Sequence, residues 1–226
     1  MKTTLKNQRR TAMTTIEILA VVFILVIVAG FMLPALTRPR GCRAQRINCI
    51  SNLKQIGLGM RMWANDHGDK FPWQVSMSET GTLEFVESDS LLYYHFLVVS
   101  NELTSPKVLA CNDDKKKSRT SEWDKFDDRN LSYFVGLEAD ESKPQTILTG
   151  DRNILGGQPS SNRIMRFHSQ SQPGWGTDLH NSAGNIGLAD GSAHQLTRDG
   201  LSKQIHDALL SLTNVTELRL VIPKPN

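Results

Sequence analysis

An uninterrupted apolar run near the start of the chain limits the possible folds more than any other feature. Residues 18–33 carry no charge and almost no polar atoms. Extended to Leu36, the run forms a helix of about 28 Å, which just reaches the thickness of a bilayer's hydrocarbon core, about 30 Å. Three interpretations are open: a cleaved secretory signal, a membrane anchor, or a helix that packs with like helices in an assembly.

The flanks of the run bear on this choice. Residues 1–12 hold four basic side chains and no acid, and small residues occur at Ala29-Gly30, as in a secretory signal. However, the run is long for such a signal, and Glu17 stands at its start. A charged side chain costs about 2.5–3.5 kcal/mol at a bilayer centre, and an intramembrane carboxylate indicates a functional site. We therefore expect Glu17 to be neutralised by a partner.

The sequence Ala12-Met13-Thr14-Thr15-Ile16-Glu17 before the apolar run resembles the cleavage and methylation motif of type IV prepilins and pseudopilins. It departs from that motif in having Ala12 in place of Gly and Met13 in place of Phe. The resemblance implies that prepilin peptidase cuts between Ala12 and Met13 and that Met13 becomes the N-methylated terminus. It also implies that Glu17 pairs with a neighbouring subunit's terminal amine, and that Pro34 lies where such helices are commonly kinked.

The same resemblance implies a location and a division of the chain. The location is the bacterial inner membrane, with a single pass, a cytoplasmic leader and a periplasmic or extracellular C-terminal domain. Arginines on the far side of the run leave the orientation undecided by charge alone. The predicted segments are a leader (1–12), a transmembrane and polymerisation helix (13–36), an amphipathic second half of that helix (37–65) and a globular domain (66–226).

The second half of the predicted helix carries one apolar stripe. Its apolar residues recur every three or four positions, as on one face of a helix. They are Ile47, Ile50, Leu53, Ile56, Met60 and Trp63. We therefore expect a nearly continuous helix over 14–65, interrupted near Pro34 and around 38–41, with this stripe packed on the domain.

Residues 49–57 (CISNLKQIG) resemble a segment of a large group of prepilin-like proteins from planctomycetes and verrucomicrobia. Those proteins also carry a His-x9-Asp-Gly element, which His180 and Asp190-Gly191 match. Two further matches are 105–111 and 150–153. The resemblance implies architecture and assembly more than any activity.

The chain has three cysteines and lacks CxxC metal spacing. Cys42 and Cys49 would lie about 10 Å apart on one helix, beyond disulfide reach. Cys49–Cys111 is the only bond considered, in an oxidising compartment; the alternative is buried thiols. Asp66 and Asp69 suggest calcium but lack a calcium loop's spacing, so a helix end and turn is favoured. No metal or cofactor is predicted.

The globular domain shows the pattern of a small antiparallel sheet. Short segments rich in β-branched or aromatic residues are bounded by Gly, Asp or Pro, and Asp190-Gly191 predicts a two-residue hairpin turn with His180 at the hairpin's base. Loops are predicted at 112–130, 156–162 and 169–178, and helices at 91–99 and 201–212. The strands are predicted at 132–137, 146–149, 185–189, 192–196 and 217–222. The predicted class is α+β, with the long N-terminal helix packed on this sheet.

The function predicted from these patterns is a non-enzymatic structural subunit of a pilus or type II secretion pseudopilus. Its expected partners are the inner membrane, prepilin peptidase and other pilin-like subunits. Nucleic acid is not expected, because the net charge is only +3 and comes from the leader. Two alternatives stay open: a membrane-anchored binding domain or enzyme, and a soluble protein secreted after a conventional signal cut. The enzyme alternative requires several polar candidates to converge in one pocket: His67, His168, His180, His194, Asp151 and Asp190.

Overall fold

The computed structural model describes residues 15–36, 41–87, 91–160, 163–213 and 215–223. The chain divides into two compact units, Met1–Arg40 and Gly41–Asn226. The described part of the first unit is a single helix, and the second unit is an α+β domain. The predicted cleavage site, Ala12 and Met13, lies outside the described residues.

Helix α1 spans Thr15–Leu36, and its backbone stays helical past Pro34. In the part of the chain that the structure describes, no helix is long and apolar enough to cross a membrane. The described side chains of α1 end at Ala29, about 22 Å of helix, whereas a span requires about 20 apolar residues. The predicted transmembrane helix, and the fold class that included it, are therefore wrong.

The predicted localisation is wrong for the same reason. A single-pass inner-membrane protein needs one spanning helix, and the described residues contain none. The partition into a cytoplasmic leader and a periplasmic domain depended on that span.

Helix α2 spans Gly41–Asp66 and is amphipathic, as predicted. Its stripe begins one turn later than expected, because Ile47 is 59% exposed. The helix ends in a turn in which the amides of His67 and Asp69 both donate to the Ala64 carbonyl. The buried residues of the stripe are Cys49, Leu53, Ile56, Met60 and Trp63.

The core of the domain is a seven-stranded antiparallel sheet of order β4-β5-β9-β1-β2-β7-β8, accompanied by a two-stranded pair, β3-β6. Two further helices are α3, Tyr94–Leu97, and α4, Arg198–Ser211. The strands are β1 Tyr133–Gly136, β2 Ile147–Asp151, β3 Ile154–Leu155, β4 Gln158–Pro159, β5 Ile164–Phe167, β6 Gly174–Trp175, β7 Gly184–Leu188, β8 Ala193–Leu196 and β9 Leu218–Val221.

The two faces of the sheet support two apolar cores. In β1, Tyr133 and Val135 join the core beneath α2, and Phe134 joins the core beneath α4. Successive side chains of a strand point to opposite faces, so α2 and α4 cover opposite faces of the sheet. Helix α4 begins at Thr197, whose hydroxyl accepts from the Gly200 amide at 3.3 Å, a typical N-cap.

The α+β class with an antiparallel sheet, five strands and the helices around 91–99 and 201–212 agree with the sequence patterns. The region 154–175 differs, because it contributes β3 to β6 instead of surface loops alone. Trp175 is only 6% exposed. Strands β3, β4 and β6 have two residues each, too few to produce a period-2 pattern, whereas the four-residue β5 was missed between two predicted loops.

Strands β7 and β8 form the predicted hairpin, with a different turn. The Gly191 amide donates to the Leu188 carbonyl, and the Leu188 amide donates to Ser192. Three residues therefore lie in the loop, and within the described chain only Gly191 of the three has a positive φ, +83°. This is a type I turn followed by a left-handed glycine, not the predicted two-residue turn.

Candidate functional site

The His-x9-Asp-Gly element contacts α2 at two separate places. Arg46 donates to the His180 carbonyl, and Arg61 Nη1 donates to the Asp190 carbonyl at 2.8 Å. Fifteen helical residues separate the two arginines, about 22 Å. His180 and Asp190-Gly191 therefore belong to different environments, and the turn docks β7 and β8 onto α2.

The His180 end contains a disulfide. Cys49 of α2 is bonded to Cys111, with 5.3 Å between their Cα atoms. Both residues are buried, and Cys111 Sγ lies 3.4 Å from His180 Nε2. The bond ties the α2 stripe to the segment that follows the 3₁₀ turn Pro106–Leu109.

The His180 imidazole lies between two carboxylates. Its Nδ1 is 3.0 Å from Asp113 Oδ2, and its Nε2 is 3.3 Å from Asp151 Oδ2. The ring is fully buried. Burial alone would lower the pKa of His180, but the Asp151 hydrogen bond and the charges of both carboxylates outweigh burial and raise it.

The backbone around His180 is strained. His180, Asn181 and Ser182 have φ values of +52°, +51° and +61°, and each such non-glycine residue costs on the order of 1–3 kcal/mol. Asn153 Nδ2 lies within hydrogen-bond distance of three carbonyls of this loop, at 2.9–3.1 Å. These bonds hold His180 in place despite the strain.

Asp151, at the end of β2, is the other fixed group. Its Oδ2 accepts from the backbone amide of Asn185 at 2.7 Å and from the Asn185 side chain at 2.9 Å. Its Oδ1 is buried and has no hydrogen-bond partner among the described residues. A buried oxygen without a partner carries a desolvation penalty of about 1–3 kcal/mol, more when charged, so it calls for a physical explanation.

Arg152, which follows Asp151 in the chain, forms two ion pairs. Its guanidinium bonds both oxygens of Asp114 at 2.7 Å and Asp178 at 3.0 Å. Both Arg152 and Asp114 are nearly inaccessible, and removing one partner of such a pair costs about 3–5 kcal/mol. The loop predicted at 112–130 is therefore only partly solvated, with Asp114, Lys117 and Asn130 buried.

We name the buried group that surrounds the imidazole the polar centre. Its side chains come from α2, the 111–113 segment, β2, the 179–183 loop and β7. Because its imidazole is fully buried, no substrate reaches it in this conformation. Its members are Cys49, Cys111, Asp113, Asp151, His180 and Asn185.

Of the six polar candidates predicted from the sequence, the structure brings together only His180 and Asp151. His67 stacks on Trp63 with ring centroids 3.6 Å apart. His168 lies 3.9 Å from Glu217, and His194 contacts Ser192 at 2.9 Å. The enzyme alternative required a wider convergence than this.

The remaining predicted site residues lie elsewhere. Glu17 is the acidic residue of the first turn of α1, and Pro34 lies near that helix's end. Asp66 closes α2, and Asp69 follows in a left-handed turn with φ +60°. Neither aspartate belongs to the cluster of potential metal ligands found among the described residues.

Several residues of the site were missed from the sequence. Asp113 and Asp114 were assigned to a solvated loop, and Asn185 to an ordinary strand. Arg152 and Asn153 were noted only as part of a family match, whereas Asp151 was among the polar candidates of the enzyme alternative. Their roles depend on partners 26–69 positions away, which no local pattern reveals.

No family model, curated protein or solved structure matches this chain.

Proposed function

We propose that the chain is a structural subunit, similar to pseudopilins, that assembles through α1 into a pilus or a type II secretion pseudopilus. Processing by prepilin peptidase between Ala12 and Met13 precedes assembly. The observation that carries the proposal is the apolar surface of α1, on which none of the described side chains, at 15–29, is buried.

Apart from Thr15 and Glu17, the described side chains of α1 are apolar, and they are exposed on all sides of the helix. Ile16 is 71% exposed, Phe23 67% and Val26 64%. A helix that is apolar all round is buried in its working state, and burying one such side chain contributes about 1.5–3 kcal/mol. In a bundle of identical helices, each helix covers the apolar surface of its neighbours, so no different partner protein is needed.

Glu17 supports the choice of partner. It is the one acidic residue in the described part of α1, at the end that carries the prepilin-like motif. Between packed apolar helices, a carboxylate is stabilised by a cation at a fixed axial position, which the Met13 amine of a neighbour provides. Pairing of this kind selects one register between subunits.

The test is the mass of the mature N-terminus after co-expression with a prepilin peptidase. We expect a chain that begins at N-methylated Met13. Ala12→Leu should block the cut because it enlarges the residue before the scissile bond, and Thr11→Leu is the matched control that should be cut. A chain that begins at Met1 or beyond Gly30 contradicts the proposal.

A charge-removing variant tests the assembly step separately. Glu17→Gln should be cut normally and should co-assemble poorly with unmodified subunits, because the amide cannot pair with a terminal amine as an ion. Glu79→Gln, at an exposed position of the domain, is the control. Equal incorporation of both variants would rule out the pairing.

A further inference from the structure

The polar centre places metal-binding side chains close together. One ligand atom each from Cys49, Cys111 and His180 lies within 4.8 Å of the other two, and all three residues are buried. Thiolate and imidazole are the side chains that bind Zn²⁺ most often in structural sites. In the disulfide form, the sulfurs are bonded to each other and offer no thiolate.

A carboxylate lies beside the imidazole, outside this group of three ligand atoms. Asp151 is fully buried, its Oδ2 is 3.3 Å from His180 Nε2, and its Oδ1 has no hydrogen-bond partner in the described chain. An ion bound at this carboxylate would satisfy that oxygen and offset its desolvation. This open oxygen is an observation independent of the two cysteines.

The observed distance between the imidazole and Cys111 matches the ligand spacing of a tetrahedral ion. Zinc bonds of about 2.3 Å to sulfur and about 2.0–2.2 Å to nitrogen and oxygen place ligand atoms about 3.4–3.8 Å apart. His180 Nε2 is 3.4 Å from Cys111 Sγ and 3.3 Å from Asp151 Oδ2. Breaking the Cys49–Cys111 bond lets the two sulfurs separate to the same spacing.

The groups around these atoms are those of a metal site. A histidine that binds a metal through one ring nitrogen usually donates from the other to a carboxylate. Asp113 Oδ2 is the carboxylate in position for this role, 3.0 Å from His180 Nδ1, although Nδ1 makes no hydrogen bond among the described residues. Asn185 holds the Asp151 carboxylate with two hydrogen bonds.

We propose that the polar centre, with both thiols free, is a Zn²⁺ site that is exclusive with the disulfide. A dithiol reductant breaks the S–S bond, delivers two electrons and two protons, and leaves as its own disulfide. Zinc binding then releases the two thiol protons. The protein ligands are Cys49, Cys111 and His180, and water fills the fourth position of the tetrahedron, beside the Asp151 carboxylate.

The experiment compares the two redox forms of the full chain. The reduced, metal-free protein is titrated with Co²⁺ under anaerobic conditions and then with Zn²⁺. We expect one Co²⁺ per chain with the visible bands of tetrahedral cobalt and a thiolate charge-transfer band, both removed by Zn²⁺. The chain with its disulfide intact should show neither band. Octahedral cobalt without thiolate bands in the reduced chain overturns the proposal.

Variants separate this site from other causes of metal binding. Asp113→Asn should weaken zinc affinity about 10–100-fold, and His180→Gln should weaken it further. The controls are His95→Gln, at another fully buried histidine, and Cys42→Ser, at the third cysteine; both should keep wild-type affinity. Binding that depends on Cys42 and not on Cys111 overturns the proposal. Circular dichroism of each oxidised variant identifies any that fail to fold.

Discussion

Helices α1 and α2 follow each other in the chain, but the described apolar residues of α1 are exposed and those of the α2 stripe are largely buried. Leu25 of α1 is 61% exposed, whereas Leu53 of α2 is fully buried. The α2 stripe faces β7, β8 and β2 of its own chain. The apolar surface of α2 therefore stabilises its own domain, whereas the apolar surface of α1 is available to other molecules.

The largest expected effect comes from truncating the same residue type in each helix. Leu53→Ala should lower the free energy of unfolding by about 2–5 kcal/mol, because it leaves a cavity in a closed core. Leu25→Ala should change it by at most about 0.5 kcal/mol, as at other exposed sites. Urea denaturation of both variants measures the difference, and equal losses would show that the contrast between the helices is wrong.

Opening the Cys49–Cys111 bond should affect the domain next most strongly. The bond closes a chain separation of 62 residues, and its loss should cost about 2–4 kcal/mol. Chemical denaturation with and without a reductant, in the presence of a chelator, measures this cost. A midpoint that does not change on reduction would mean that the α2 packing alone holds this end of the domain.

Two buried histidines should make the free energy of unfolding depend on pH in opposite directions. Burial lowers the pKa of His95 to about 4, from an ordinary value of 6.5, so stability should fall as the pH drops from about 6.5 towards 4. The pKa of His180 is raised by Asp151 and Asp113. Its contribution is complete below pH 6.5 and is lost as the pH rises through the folded-state pKa.

The His95 effect should be on the order of 3 kcal/mol, because its pKa falls from 6.5 to about 4. Unfolding midpoints between pH 4 and 9 should lose their acid slope in His95→Gln and their alkaline slope in His180→Gln. Ring NMR shifts of the two histidines give the folded-state pKa values directly. The same direction of shift for both would contradict the description of their surroundings.

The smallest expected effect concerns the docking of the hairpin turn on α2. Arg61 donates to Asp190 and forms a partly exposed ion pair with Glu141 at 2.8 Å. Arg61→Gln should therefore cost about 0.5–1 kcal/mol. Lys54→Gln, at an exposed position of the same helix, should cost nothing measurable.

The sequence predicted the elements that carry a clear period or turn signal. The α2 stripe, five strands, helix α4 and the hairpin before Gly191 follow from spacing and turn chemistry alone. The prediction that α1 spans a membrane was wrong. It extended a run of apolar residues to the length of a bilayer, and no described helix is long and apolar enough for that. Strands β3 to β6 were also missed: β3, β4 and β6 are two residues long and carry no pattern, and β5, with four residues, lies between two predicted loops.

The polar centre was much less predictable. Cys49 with Cys111 was considered as a pair, and His180 was placed at the base of the hairpin, but nothing local joined them to Asp151 or Asp113. Those contacts arise when the end of β2 and the left-handed loop at 180–182 meet beneath α2. Asp151 also lies in a conventional strand pattern, where an aspartate predicts only a strand end.

The most direct test of the central claim, that the chain assembles through α1, is a sedimentation comparison of two charge insertions in the full chain. Phe23→Asp places a charge on α1, and Leu210→Asp places one on α4 at a similar exposure, 67% against 73%. We expect Phe23→Asp to remove the large assemblies and Leu210→Asp to leave them unchanged, with both domains equally stable. Assemblies that survive Phe23→Asp, or fail equally in both variants, would contradict assembly through α1.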